Sequence, residues 1–167
     1  MNKETTCCFT GPRPARLPMN GNEYSAEIAA LKIKLRSAII DAYSEGFRFF
    51  ISGMAEGFDI FAAETVLELK SSLDGIALVA ALPYSGVQKS HSSAVSKRIG
   101  IILSKADFVV SLSEKYIPGC EHSRNKYMAD NSSRIIGYYS GLSGGTAHCW
   151  NYAAKNGLEM VNLYEGI

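Results

Sequence analysis

Short apolar runs alternate with amphipathic stretches along the whole chain. Thr5–Phe9 is β-prone and is stopped by Gly11-Pro12-Arg13-Pro14. From Glu23 to Glu45, Ile28, Leu31, Leu35, Ile39 and Ala42 recur at spacings of three and four, which predicts a long amphipathic helix stopped by Gly46. The aromatic run Phe47–Ile51 predicts a second strand. After Ser52–Asp59, the positions Phe58, Phe61, Ala62, Val66 and Leu69 line one face of a second helix. Ile76–Leu82 is apolar without alternation, the pattern of a parallel strand covered on both sides. Further helices are predicted at Ser92–Leu103, Cys120–Asn131 and Gly145–Lys155. Further strands are predicted at Phe108–Leu112, Arg134–Tyr139 and Met160–Leu163. Parallel strands need crossovers, and right-handed helical crossovers supply them. The prediction is a doubly wound α/β fold, a mostly parallel sheet with helices on both faces, with residues 1–167 as one domain.

Composition narrows the function classes. Hydrophobic residues are 47% and charged residues 20% of the 167, the balance of a globular chain. Seventeen Lys+Arg against sixteen Asp+Glu give a net charge of +1, so binding of nucleic acid through bulk positive charge is disfavoured. The longest strongly apolar run, Ile76–Leu82, is far below the ~20 residues of a membrane-spanning helix. The first residues carry no basic-then-apolar leader, so a cytoplasmic location is expected. Cys7, Cys8, Cys120 and Cys149 contain no CxxC pair and read as reduced, mostly core thiols, with Cys7 and Cys8 pointing to opposite faces of their strand. His91, His122 and His148 are scattered, and no metal site is expected.

Ligands of such sheets bind outside the carboxyl ends of the strands, where this chain gathers its unusual residues. Thr10, Gly11 and Arg13 follow the first strand, Ser52, Gly53, Met54, Gly57 and Asp59 the second, and Pro83 the third. Gly144, Gly145 and Thr146 follow the fifth. Glycine-bearing strand-to-helix turns admit a phosphate to free N–H groups along the helix dipole. Gly53 and Gly57 equally suit tight turns and close helix packing. Asp59 suits either the helix N-terminus or ligand hydroxyls. Arg13, stiffened by flanking prolines, suits phosphate or carboxylate recognition, or a plain surface position. Arg124 with Asn125 lies on a predicted helix that can reach over the cleft, and Met128 on the same face reads as core. Neither GxGxxG with its distal acid nor GxxxxGK[ST] occurs, so standard dinucleotide and Walker-type binding are not supported.

The blocks Thr10-Gly11-x-Arg13-Pro14, Ser52-Gly53-Met54-Ala55-x-Gly57-x-Asp59, Arg124-Asn125-x-x-Met128-x-Asp130 and Gly144-Gly145-Thr146 together resemble the SLOG superfamily. That superfamily includes DprA (Smf) and the Lonely Guy enzymes. The resemblance runs from about Cys8 to Leu163 and is greatest to the YpsA-like branch, whose function is unknown. It implies a Rossmann-like domain binding a nucleotide-type ligand of the AMP, NAD or ADP-ribose class, as a sensor or regulatory domain. In that reading Gly53, Gly57, Gly144, Gly145 and Thr146 cradle phosphate, Asp59 orients the sugar, and Arg13 and Arg124 neutralise charge. Two departures stand out. Pro12 replaces the histidine usual in the first loop, and Cys149 stands where Lonely Guy phosphoribohydrolases carry their catalytic glutamate. Arg124 remains the candidate catalytic residue of a Lonely Guy-like nucleoside-monophosphate phosphoribohydrolase, an alternative reading. A DprA-like single-stranded DNA-binding module is a further one, disfavoured by the charge. A homodimer is also expected, with Trp150, Tyr152, Tyr138 and Tyr139 as candidate anchors.

Overall fold

A computed structural model describes residues 1–166. Strands β1 (Thr6–Thr10), β2 (Phe49–Ser52), β3 (Ala77–Leu82), β4 (Phe108–Ser111), β5 (Arg134–Gly137) and β6 (Glu159–Asn162) form one six-stranded sheet in the order β4-β3-β2-β1-β5-β6. Every pairing is parallel. The connecting helices are α1 (Ala26–Ser44), α2 (Phe58–Leu69), α3 (Ser93–Lys105), α4 (Cys120–Asp130) and α5 (Gly145–Lys155). The architecture is the expected Rossmann-like α/β fold.

Strand residues alternate between two cores. Cys7, Phe9, Phe50, Leu78 and Ile136 pack under α1, α2 and α3, while Cys8, Ile51, Val79 and Ile135 pack under α4 and α5. The two adjacent cysteines thus point to opposite faces, and burial pushes the thiol pKa of each far up. The predicted stripe of α1 is buried throughout, each large aliphatic side chain contributing roughly 1.5–3 kcal/mol of transfer free energy.

Helix boundaries shifted where caps intervene. Ser25 Oγ accepts the Ile28 amide at 3.3 Å, so α1 starts at Ala26 rather than at Glu23. At its other end Phe47 N donates to Ala42 O at 3.0 Å and Gly46 N to Tyr43 O at 3.0 Å, with Gly46 at φ 104°. This Schellman closure takes Phe47 into the helix cap, so β2 starts two residues later than the aromatic run predicts. No helix among the described residues is long and apolar enough to cross a membrane.

Candidate functional site

Successive strands step outward from β1 to β4. The chain then returns and places β5 on the other side of β1. Loops leaving β1 and β5 therefore part, and a crevice opens at their carboxyl ends. A cavity of about 390 Å3 occupies this position. A groove of about 670 Å3 between α2 and α3, lined by Glu64, Arg98 and Ile101 among others, lies away from the strand ends.

One wall of the cavity comes from the loop after β5. Gly144 is the N-cap of α5 and offers no capping side chain. The first bond of this helix runs from His148 N to Gly144 O at 3.0 Å, so the amides of Gly145 and Thr146 precede the ladder and carry the positive helix end into the cavity. The loop after β1 supplies Thr10, Gly11, Arg13 and Arg16. Arg16 donates to Ser143 O at 2.6 Å and ties the two loops together, and Arg13 pairs with Glu121 at 3.3 Å. Arg16→Ala should leave the melting temperature nearly unchanged, because an exposed bond of this kind contributes about 1 kcal/mol or less. Amide exchange through residues 138–145 should accelerate, as mass spectrometry would read.

The turn after β2 does something else. Arg124, 8% exposed, donates to the carbonyl of Gly53 and to Asn125 Oδ1. A Cβ built on Gly53 would lie 2.8 Å from both Arg124 Nη1 and Asp59 Oδ2. Two of the turn's amides are satisfied within it: Met54 N bonds Ser52 Oγ at 3.2 Å, and Ala55 N bonds Asp59 Oδ2 at 3.4 Å. Ser52, Gly53, Met54 and Gly57 lie outside the cavity lining, while Ala55 and Asp59 of the same segment belong to it. Gly53 and Gly57, expected as a phosphate cradle, sit behind the lining, where Gly53 lies against Arg124 and Asp59. Pro83 is also outside the lining, because β3 is two strands away from β1. Thr10, Gly11, Arg13, Asp59, Arg124, Asn125, Gly144, Gly145 and Thr146 do converge there.

Asp59 is the unusual group of the site. It is 5% exposed, and its Oδ1 finds no hydrogen-bond partner among the described residues. Burial raises its carboxyl pKa to about 6, with the Arg124 charge, the Ala55 amide and Arg13 pulling it back. Cys149 is fully buried, and burial pushes its thiol up to about 11. Burial thus holds it as the neutral thiol at ordinary pH.

Arg16, Glu121 and His122, which the sequence does not mark as ligand-binding, and Tyr138 and Tyr139, which read as dimer anchors or core, all line the cavity. Tyr139 packs on Trp150 at 5.7 Å, and Asn162 brackets the Tyr139 backbone at 3.0 and 2.9 Å. The available signal for Arg16 was a second arginine, three residues after Arg13, in a proline-stiffened strand-end loop.

The profile of the YspA SLOG family matches residues 7–162. The chain belongs to this family. A UPF0398 protein of Ligilactobacillus salivarius is 29% identical over 120 residues, 71% of this chain and 66% of that protein. Another, from Halalkalibacterium halodurans, is 27% identical over 114 residues, 67% of this chain and 60% of that protein. The matched region thus spans less than two thirds of either relative. Among solved structures, DNA processing protein A from Helicobacter pylori, described for its single-stranded DNA binding mode, superposes with a TM-score of 0.67 at 19% identity, covering 99% of this chain and 67% of that one. DprA from Streptococcus pneumoniae gives 0.66 at 15% identity, covering 99% and 52%. At these identities the likeness is one of fold.

Proposed function

We propose that the cavity binds a nucleotide or nucleotide-derived ligand by its phosphate, and that the chain acts as a sensor or regulatory domain. The observation carrying this reading is the pairing of unlike ends in one cavity. The open amides of Gly145 and Thr146, with Arg13 and Arg16, face an anion, and the unpartnered oxygen of Asp59 faces hydrogen-bond donors such as sugar hydroxyls. Three arginines against two carboxylates leave the lining modestly positive, which suits one or two phosphates better than a polyanion. Calorimetric titration with AMP, NAD and ADP-ribose tests the reading. Binding to at least one is expected, and its loss in Arg13→Ala/Arg16→Ala would assign the phosphate end. Absence of binding to all three would remove the reading.

A second reading, N-glycosidic hydrolysis of a nucleoside monophosphate, is favoured by the Asp59 carboxyl. A buried acid titrating near 6 beside Arg124 suits proton transfer at neutral pH. Chromatography of AMP incubated with the protein decides it, free adenine and ribose phosphate being the products. Single-stranded DNA binding, the property described for the Helicobacter pylori neighbour, would instead show a gel shift that salt abolishes steeply.

A further inference from the structure

Two imidazoles meet at the lip of the cavity. His122 comes from the first turn of α4 and His148 from the first turn of α5, with ring centroids 4.0 Å apart at 58°. His122 lines the cavity. His148 touches the cavity wall through the His122 ring, and its Nδ1 is buried without a hydrogen-bond partner among the described residues. Burial, then His122 and Lys126, hold the His148 imidazole below its ordinary pKa. The charged groups around the pair are few. Helix α4 contributes Lys126, Arg124 and Glu121, with Glu121 engaged by Arg13 and Arg124 turned to the Gly53 carbonyl, and α2 contributes the buried Asp59 to the same cavity. The β1 loop contributes Arg13 and Arg16, while the β5–α5 loop and the first two turns of α5 (140–151) carry no charged side chain besides His148.

Two imidazole rings in contact do not both carry charge cheaply. The buried His148 Nδ1, without a partner among the described residues, is a free acceptor or donor position within the pair. What the arrangement lacks is an anion to balance that proton. We propose that the His122–His148 pair is part of the anion-binding wall and takes up one proton as a phosphate group enters the cavity, so that ligand binding is proton-linked. This rests on the phosphate-binding reading above and adds to it a pair of residues and a pH dependence. A pair that only fills space would bind no proton on ligation.

The test is an NMR titration of the imidazole Cε1–H resonances in the full chain, in chloride and in excess sulfate, a phosphate mimic whose own charge does not change between pH 5 and 8. Sulfate should raise the midpoint of the pair by ~1 pH unit. His122→Asn should shrink the sulfate-induced shift of the His148 midpoint, which a merely structural contact would leave unchanged. ADP-ribose, whose diphosphate also does not titrate there, should bind about three- to tenfold more tightly at pH 5.5 than at 7.5, and His122→Asn should flatten this slope. If sulfate moves the Gly145 and Thr146 amide resonances but neither imidazole, the proposal falls and the phosphate reading stands. If neither the amides nor the imidazoles respond to sulfate or to AMP, NAD or ADP-ribose, both fall.

Discussion

Gly57→Ala is expected to destabilise the fold by roughly 3–4 kcal/mol, lowering the melting temperature by ~10 °C. Two independent constraints meet at this residue. Its φ of 100° with ψ of −124° is a conformation that only glycine adopts readily. A Cβ there would also stand 2.7 Å from Pro12 O and 3.1 Å from the Arg13 backbone. These are main-chain atoms of the β1 loop, and Pro12 O additionally accepts Phe58 N at 3.2 Å. Neither side can yield without shifting the other, so the substitution should displace Arg13 and Arg16 along with the start of α2. Gly145→Ala is the matched control. It has ordinary φ and nothing within 4 Å of its built Cβ, and its stability should change by less than about 0.5 kcal/mol. Differential scanning calorimetry of the two variants checks the pair. Equal melting temperatures would mean that the β1 and β2 loops are not keyed together at Gly57.

The contrast between these two glycines shows how far the sequence could be read. The apolar stripe of α1, the unbroken run of β3 and the glycines opening α5 encode local geometry and burial, which is what periodicity reports. The register of alternation along Cys7-Cys8-Phe9 likewise predicted which face each residue serves. What fills a turn is a different kind of information. Arg124 reaches the Gly53 carbonyl from 71 residues away, and only the stacking of α4 over the sheet brings it there. Without that contact Ser52–Asp59 looks like a second phosphate loop; with it, the loop is a seat for a buried arginine and carboxyl. Arg16 with Ser143 and His122 with His148 are also meetings of distant segments, invisible to spacing. The blocks quoted for the family resemblance thus fall at the strand ends around the cavity, and tertiary packing divides their residues between lining and support.

Asp59→Asn should stabilise the protein at neutral pH while weakening its ligand affinity. The folded state raises the Asp59 carboxyl from 3.8 to about 6, so it holds this proton more tightly than the unfolded chain does. A group of that sign contributes stability below pH 4 and loses it as pH rises through 6, because the carboxylate must then be ionised without water around it. The two-unit displacement corresponds to on the order of 2–3 kcal/mol at pH 7.5. Asparagine keeps the shape, remains neutral, and still presents an oxygen to Ala55 N, so it mimics the protonated acid at every pH. The variant should therefore melt ~5–8 °C above the wild type at pH 7.5 and level with it near pH 4. Its amide nitrogen would meet any sugar hydroxyl donor with a donor of its own. The affinity for whichever of AMP, NAD or ADP-ribose binds should then fall by about tenfold, one unsatisfied hydrogen bond's worth. A variant less stable than the wild type at pH 7.5 would mean that Arg124 compensates the buried charge in full. A variant that is more stable yet binds unchanged would mean that the free Asp59 oxygen serves no ligand. The expected combination of higher stability and lower affinity is what a binding group kept under strain produces.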